Sequence, residues 1–272
     1  MLGKKTMTLF HTTIGSGPQK LVFLHGLFGQ GKNFGQIAKN ISDLATVYLV
    51  DLPDHGRSPW TAEVSYDNYV DLVAEKLVEL GAEKSPLNLV GHSLGGRIAM
   101  LVALAHPNLI SRLGVLDMSP GERFDVDLYV KYATSMLSIN LNSLESRAQA
   151  SKFLEPFIPD AMVRNFLLQN LHRDADSATG WRWLPNIRLL KDQMQNFNDW
   201  PDITNKRFLG PSEFIAAGQS NYITRRDLPK IYRLFPAVGI EVVMQAGHWV
   251  HAEAPERVTT AMRRLLKRRL WR

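Results

Sequence analysis

Ser93 is the residue around which chemistry could be built. It stands between Gly91 and Gly95 in Leu89-Val90-Gly91-His92-Ser93-Leu94-Gly95-Gly96, where one apolar run ends and another begins. The run Leu87-Asn88-Leu89-Val90 predicts a buried strand, and Leu94 to Ala105, rich in Ala, Leu and Met, predicts a helix. A serine on so sharp a strand-to-helix turn presents its hydroxyl with a helix N-terminus behind it. Glycines at 91 and 95 let the turn close, because neither brings a Cβ against neighbouring backbone.

A serine hydroxyl is a weak nucleophile at neutral pH. It needs a base that takes and returns its proton, and the base needs a carboxylate to hold its tautomer. In an open α/β sheet such groups meet at the carboxyl ends of strands, so residues just after strands are the candidates. His248, in Ala246-Gly247-His248-Trp249, follows the last strand-like run and is the predicted base. His25 reads as part of a turn, and His92, adjacent to Ser93, should point its side chain away from it. His11, His55, His106, His172 and His251 have no comparable placement.

Two stretches compete for the acid. In much of this architecture an aspartate follows a glycine after a late strand, but Ala217-Gly218-Gln219-Ser220-Asn221-Tyr222 offers only Asn221. An amide cannot stabilise an imidazolium as a carboxylate does. Leu116-Asp117-Met118-Ser119-Pro120 offers Asp117, which is the predicted acid; its alternative is a hinge aspartate bonded to local backbone. The backbone N–H groups of Leu94 and of Leu27, in His25-Gly26-Leu27-Phe28-Gly29, are the predicted oxyanion donors. Phe28 is the weaker choice for that second donor and a candidate for the pocket wall.

The elements that must position these groups alternate along the chain. Leu21 to Leu24, Thr46 to Val50, Leu87 to Val90 and Leu113 to Leu116 read as strands, with helical patterns between them. Continuous apolar strands separated by helices predict an α/β fold: a mostly parallel sheet with helices on both faces. Thr8 to Thr13 reads as an antiparallel edge strand. From Gly121 to Arg207 only helical patterns with scattered aromatics appear, after which alternation resumes at Phe214. The predicted organisation is a core of residues 1–120 and 208–272 with a helical cap, 121–207, over the open end of the sheet. Phe124, Tyr129, Trp181 and Trp183, with Met118, Phe28 and Trp249, are candidates to line an apolar acyl pocket.

Composition removes several other classes. With 272 residues, 45% of them hydrophobic and 21% charged, the chain has the make-up of a folded globular protein. It contains no cysteine, which excludes disulfides, a thiolate metal site and a cysteine nucleophile. No apolar stretch approaches the ~20 residues a bilayer needs. No secretory signal is evident near the N-terminus, so the expected location is cytoplasmic. No cofactor or metal is expected: Gly15-Ser16-Gly17 is followed by no helix, so it is not a nucleotide fingerprint. The net charge of +6 is concentrated in the last residues, where Val258, Met262, Leu265 and Leu266 recur at helical spacing. That pattern predicts an amphipathic helix packed on the sheet with a basic outer face, and no nucleic-acid-reading motif accompanies it.

Taken together, His25-Gly26, Asp51-Leu52-Pro53-Asp54-His55-Gly56-Arg57-Ser58, Gly91-His92-Ser93-Leu94-Gly95-Gly96 and Gly247-His248-Trp249 resemble the successive signatures of the α/β-hydrolase superfamily. They span nearly the whole chain outside the predicted cap. Asp117 in Leu-Asp-Met-Ser-Pro, with Gly-Gln-Ser-Asn-Tyr at the commoner acid position, is similar to the YbfF-type bacterial esterases and their mitochondrial relatives. That resemblance implies a Ser-Asp-His triad, a helical cap, and hydrolysis of carboxylic esters or acyl-CoA thioesters. The expected partner is a small-molecule acyl ester or thioester; the oligomeric state is not legible. Carbon–carbon bond hydrolases and cofactor-free peroxidases use a similar triad and are further alternatives. A ligand-binding protein that keeps the fold without chemistry is the non-enzymatic one.

Overall fold

A computed structural model of the chain describes residues 7–121, 125–198, 200–203 and 205–269. Six strands make the central sheet: β1 (His11–Leu24), β2 (Ala45–Val50), β3 (Leu87–His92), β4 (Ile110–Leu116), β7 (Ser212–Ala217) and β8 (Val238–Val243). Their order is β2-β1-β3-β4-β7-β8. The chain thus steps to one side first, then crosses β1 and builds outward on the other. Side-chain alternation divides each buried strand between two cores. Leu21, Phe23, Val47, Leu49, Val90, Leu116 and Ile215 face one way, packed under α1 (Gly35–Asn40) and α10 (Pro255–Lys267). Val22, Leu24, Val50, Leu87, Leu89, Leu113, Val115 and Phe214 face the other, under α2 (Tyr66–Glu79), α3 (Leu94–Ala105) and α8 (Leu228–Leu234).

β1 contains two arms. Along Lys20–Leu24 its partners on β2 rise from Thr46 to Val50, a parallel register; along His11–Ile14 they fall from Val50 to Val47. The first arm is therefore antiparallel to β2, and Gly15, at φ 78°, makes the reversal.

Between β4 and β7 lie α4 (Val126–Leu137), α5 (Arg147–Leu154), α6 (Ala161–Leu168) and α7 (Ile187–Asp192). Asp125, Ser146 and Asp160 accept from backbone N–H groups of the first turns of α4, α5 and α6, which fixes where these helices start. The stretch also contains a strand pair that helical reading misses, β5 (Leu171–Arg173) against β6 (Trp181–Trp183). Three residues per strand are too few for alternation to show.

After β8 the chain turns through α9 (Val250–Glu253) into α10. Val258, Met262, Leu265 and Leu266 on α10 are buried, each contributing about 1.5–3 kcal/mol. Three of its four basic residues are met by the chain's own carboxylates: Arg263 by Asp43 at 2.6 Å, Arg257 by Glu241 at 2.6 Å, and Arg264 by Glu213 and Glu241. No described helix is long and apolar enough to cross a membrane.

Candidate active site

β3 delivers Ser93 to the carboxyl edge of the sheet. Ser93 takes φ 52° and ψ −120°, a conformation unfavourable for any residue with a Cβ, and α3 begins at the next residue. The turn is possible because of its glycines. A Cβ on Gly91 would collide with the Gly95 carbonyl, and one on Gly95 with the carbonyls of Leu24 and His25.

His248 arrives on the loop after β8, and its Nε2 lies 2.9 Å from Ser93 Oγ. Its Nδ1 lies 2.8 Å from Asp117 Oδ2. Asp117, at the end of β4, is wholly buried and has φ 46°. Its other oxygen, Oδ1, accepts from the Ala217 N–H at 2.9 Å, so the carboxylate is held from both sides. This network assigns the tautomer: Nδ1–H donates to Asp117 and Nε2 accepts from the serine hydroxyl. Such a chain can move a proton off Ser93 while the imidazolium that forms stays paired with a buried carboxylate.

The loop after β1 closes the other side. A Cβ on Gly26 would stand 3.1 Å from Ser93 Cβ, so this loop passes directly over the serine. Leu27 N–H has no hydrogen-bond partner among the described residues, and Phe28 is held at φ 57°. Of the four described non-glycine residues with positive φ, three (Phe28, Ser93 and Asp117) are gathered here. His25 braces the loop: Nδ1 donates to the Gly26 carbonyl at 2.8 Å and Nε2 accepts from the Leu52 N–H at 3.0 Å. Burial drives the His25 pKa down to about 4, so it stays neutral as a brace. His92 bonds the His248 carbonyl at 2.8 Å and steadies the base's loop. Asp51 completes the scaffold by accepting from the N–H groups of Gly31 and Arg57.

Residues 21–261 match the model of the alpha/beta hydrolase family. The chain belongs to this family. It is 34% identical over 241 residues to the sn-1-specific diacylglycerol lipase ABHD11 of Danio rerio, a match covering 86% of this chain and 74% of that protein. It is 27% identical to Esterase YbfF of Escherichia coli, with 90% of this chain and 92% of that one covered. Among solved structures, one titled as a marine microorganism esterase superposes with a TM-score of 0.88 at 31% identity, covering 95% of this chain and 99% of its own. The chain is accordingly an enzyme of the hydrolase class.

Beside Ser93 and His248 of this alpha/beta hydrolase lies a cavity of about 670 Å³, lined by Leu128, Tyr129, Tyr132, Val163, Tyr222 and Trp249 among others, with His248 in its wall. Tyr129 and Trp249, both expected at a pocket, are there. Phe28 is buried with its ring 6.4 Å from that of Tyr129, and Met118 packs beneath, against Gly96. Trp181 and Trp183 are not at the cavity. The Trp181 indole donates to the Leu144 carbonyl at 2.6 Å and its ring lies under Arg173, so it pins the β5–β6 hairpin, and Trp183 packs into the core beside it. Phe124 lies outside the described residues.

Two residues, Tyr222 and Arg97, escaped the sequence reading, and Tyr129, expected only in the pocket wall, also reaches Ser93. The Tyr129 hydroxyl hydrogen-bonds to both Ser93 and Tyr222, and burial pushes its pKa well above the ordinary value. Tyr222 lays its ring 4.2 Å from that of His248, and burial raises its pKa to about 12. Both phenols are therefore neutral. Arg97, one turn after Ser93, is fully buried and donates to the Tyr66 hydroxyl at 2.7 Å and to the carbonyls of Phe197 and Gly121. Those carbonyls lie at the start of the segment between β4 and β7 and in its later part, so the helix that starts at Ser93 also holds that segment at two distant points. One signal was available: Arg97 is the single charged residue in Leu94–Ala105.

Proposed function

We propose that this alpha/beta hydrolase is a serine carboxylic-ester hydrolase acting on short- to medium-chain acyl esters, with residues 121–207 as its cap. The observation that carries the reading is the continuous chain from Ser93 Oγ through His248 to Asp117, at 2.9 Å and 2.8 Å. Ser93 Oγ attacks the acyl carbon as its proton passes to His248 Nε2, while the N–H groups of Leu27 and Leu94 hold the oxyanion. The tetrahedral intermediate collapses, and the departing alkoxide takes the proton from His248. Water then gives a proton to His248 as it attacks the acyl-enzyme; the second tetrahedral intermediate collapses, the acid leaves, and Ser93 Oγ takes the proton back from His248. Each oxyanion donor is worth about 3 kcal/mol of barrier.

The apolar lining of the cavity by Leu128, Val163 and Trp249 supports an apolar acyl group. So does the similarity to the Danio rerio relative, an sn-1-specific diacylglycerol lipase. Steady-state hydrolysis of p-nitrophenyl esters of increasing acyl length, with Ser93→Ala as blank, tests the reading. Activity peaking at short to medium chains, and loss of several orders of magnitude in Ser93→Ala, is expected. Near-normal turnover in Ser93→Ala would overturn it. An acyl-CoA thioester is the second substrate class, favoured by a cationic pocket on the far side of α6.

A further inference from the structure

α6 separates two hollows. Val163 faces the catalytic cavity, whereas Arg164, Asn165 and Leu168 line a second one of about 610 Å³. This second hollow lies at the seam between core and cap. Lys32, on the loop after β1, forms one wall; Arg147, Ser151 and Lys152 of α5, and His172 of β5, form others. Lys32, Arg147, Lys152 and Arg164 supply four cations, opposed by the single lining carboxylate of Glu155, which reaches Arg164 at 3.7 Å.

The cations are placed rather than scattered. Arg147 donates through Nε and Nη2 to the Leu171 carbonyl at 2.9 Å and 2.6 Å, which fixes its plane and leaves Nη1 available. Arg164 is buried against the carbonyls of Ile158 and Pro159. His172 Nε2 is bonded to the Gln169 carbonyl at 3.1 Å. Lys32 has no carboxylate partner among the described residues, and burial followed by the charge of Arg147 lowers its pKa. The Lys32 and Arg147 charges in turn help lower that of His172. Lys32, Arg147 and Lys152 are exposed at the mouth of this hollow; like charges gathered there repel one another, and an anion between them relieves the repulsion.

We propose that this hollow binds a phosphate group, held between Lys32 of the core and Arg147 of the cap. A guanidinium edge fixed in plane and a mobile ammonium are the donors that phosphate oxygens require. The position gives binding a consequence. Beside the hollow, Gln30 donates to the Gln169 carbonyl at 3.2 Å and to Asn170 at 2.8 Å, and Asn33 donates to Gln169 at 2.9 Å. Asn170 in turn donates to the Phe28 carbonyl at 2.6 Å. A phosphate bridging Lys32 and Arg147 fastens the cap to the loop that carries Leu27 and Phe28. The phosphate is either part of the substrate's leaving group or a free ligand.

The test is binding, independent of whether the ester reading holds. Pyrophosphate is titrated calorimetrically into the full chain at constant ionic strength, alongside Lys32→Ala/Arg147→Ala and the milder Lys32→Gln. Saturable binding with a Kd on the order of millimolar or tighter is expected, weakened at least about tenfold in the double variant and less in Lys32→Gln. Absence of saturable binding to the wild type, or equal binding by folded variants, overturns the proposal. The source is then read from kcat/KM for butyryl-CoA against butyryl-pantetheine. A preference for the CoA ester that the double variant erases places the phosphate on the substrate; equal use of the two thioesters, with pyrophosphate bound, makes it a free ligand.

Discussion

Replacing Asp117 by Asn keeps the shape of the side chain and breaks its logic. Both carboxylate oxygens are committed: Oδ1 to the Ala217 N–H at 2.9 Å and Oδ2 to His248 Nδ1 at 2.8 Å, in a wholly buried site. An amide has one oxygen and one NH₂. If the oxygen stays on Ala217, the NH₂ faces Nδ1, which must become an acceptor. The proton then sits on Nε2, facing Ser93 as a donor, and His248 cannot act as base. If the amide flips, the NH₂ is opposed to the Ala217 N–H, and leaving those donors unsatisfied costs about 1–3 kcal/mol. Even then the imidazolium formed in the reaction lacks its counter-charge. In a triad the same exchange lowers kcat by about 10⁴, or about 5.4 kcal/mol of barrier. Turnover of p-nitrophenyl butyrate, with folding checked by circular dichroism, measures it. Asn221→Ala, at the exposed rim of the cavity, is the comparison and stays within about threefold of wild type. An Asp117→Asn enzyme within about tenfold of wild type, or a greater loss in Asn221→Ala, would refute the assignment.

Three other outcomes follow from the geometry. Arg97→Met leaves the Phe197 and Gly121 carbonyls and the Tyr66 hydroxyl without their donor; a loss of about 3–5 kcal/mol in urea unfolding is expected, and less than about 1 kcal/mol would show that Arg97 does not hold the cap. Gly95→Ala drives a methyl into the carbonyls of Leu24 and His25, so the variant should unfold at lower urea by about 1–3 kcal/mol or fail to accumulate; a fully stable, fully active Gly95→Ala would contradict the tightness of the turn. Burial lowers the pKa values of His25 and His55 to about 4 and of His251 to about 3, all from an ordinary 6.5. Below pH 6.5 the unfolded chain therefore binds protons the native one refuses, and stability falls as pH drops toward about 4. At pH 5.5 each of the three sites costs on the order of 1 kcal/mol relative to high pH, a few kcal/mol together. Urea midpoints independent of pH between 7.5 and 5.5 would count against their neutral burial.

What the chain discloses in order along itself and what it hides differ in physical kind. The serine turn was legible because strand, glycine spacing and helix are all local, and Asp117 and His248 because each closes an apolar run. The α/β alternation was legible for the same reason. The cavity wall was legible only in part, since aromatic type says nothing about direction: Trp181 and Trp249 look alike in sequence, yet one indole is committed to the Leu144 carbonyl while the other stands beside His248. The β5–β6 hairpin is too short for a period to register. The basic face of the last helix is outward as its spacing predicts, but the carboxylates it meets there, Asp43, Glu213 and Glu241, are distant in sequence and could not be read from it. Arg97 is the instructive intermediate. A lone charge in Leu94–Ala105 announces that some partner must exist, because a buried guanidinium without acceptors is too costly to keep. Only the folded chain shows that the acceptors are carbonyls at the start and in the later part of the segment between β4 and β7. The helix that opens at Ser93 thereby also anchors the segment between β4 and β7, so the placement of Ser93 and the placement of the residues above it are set by one element.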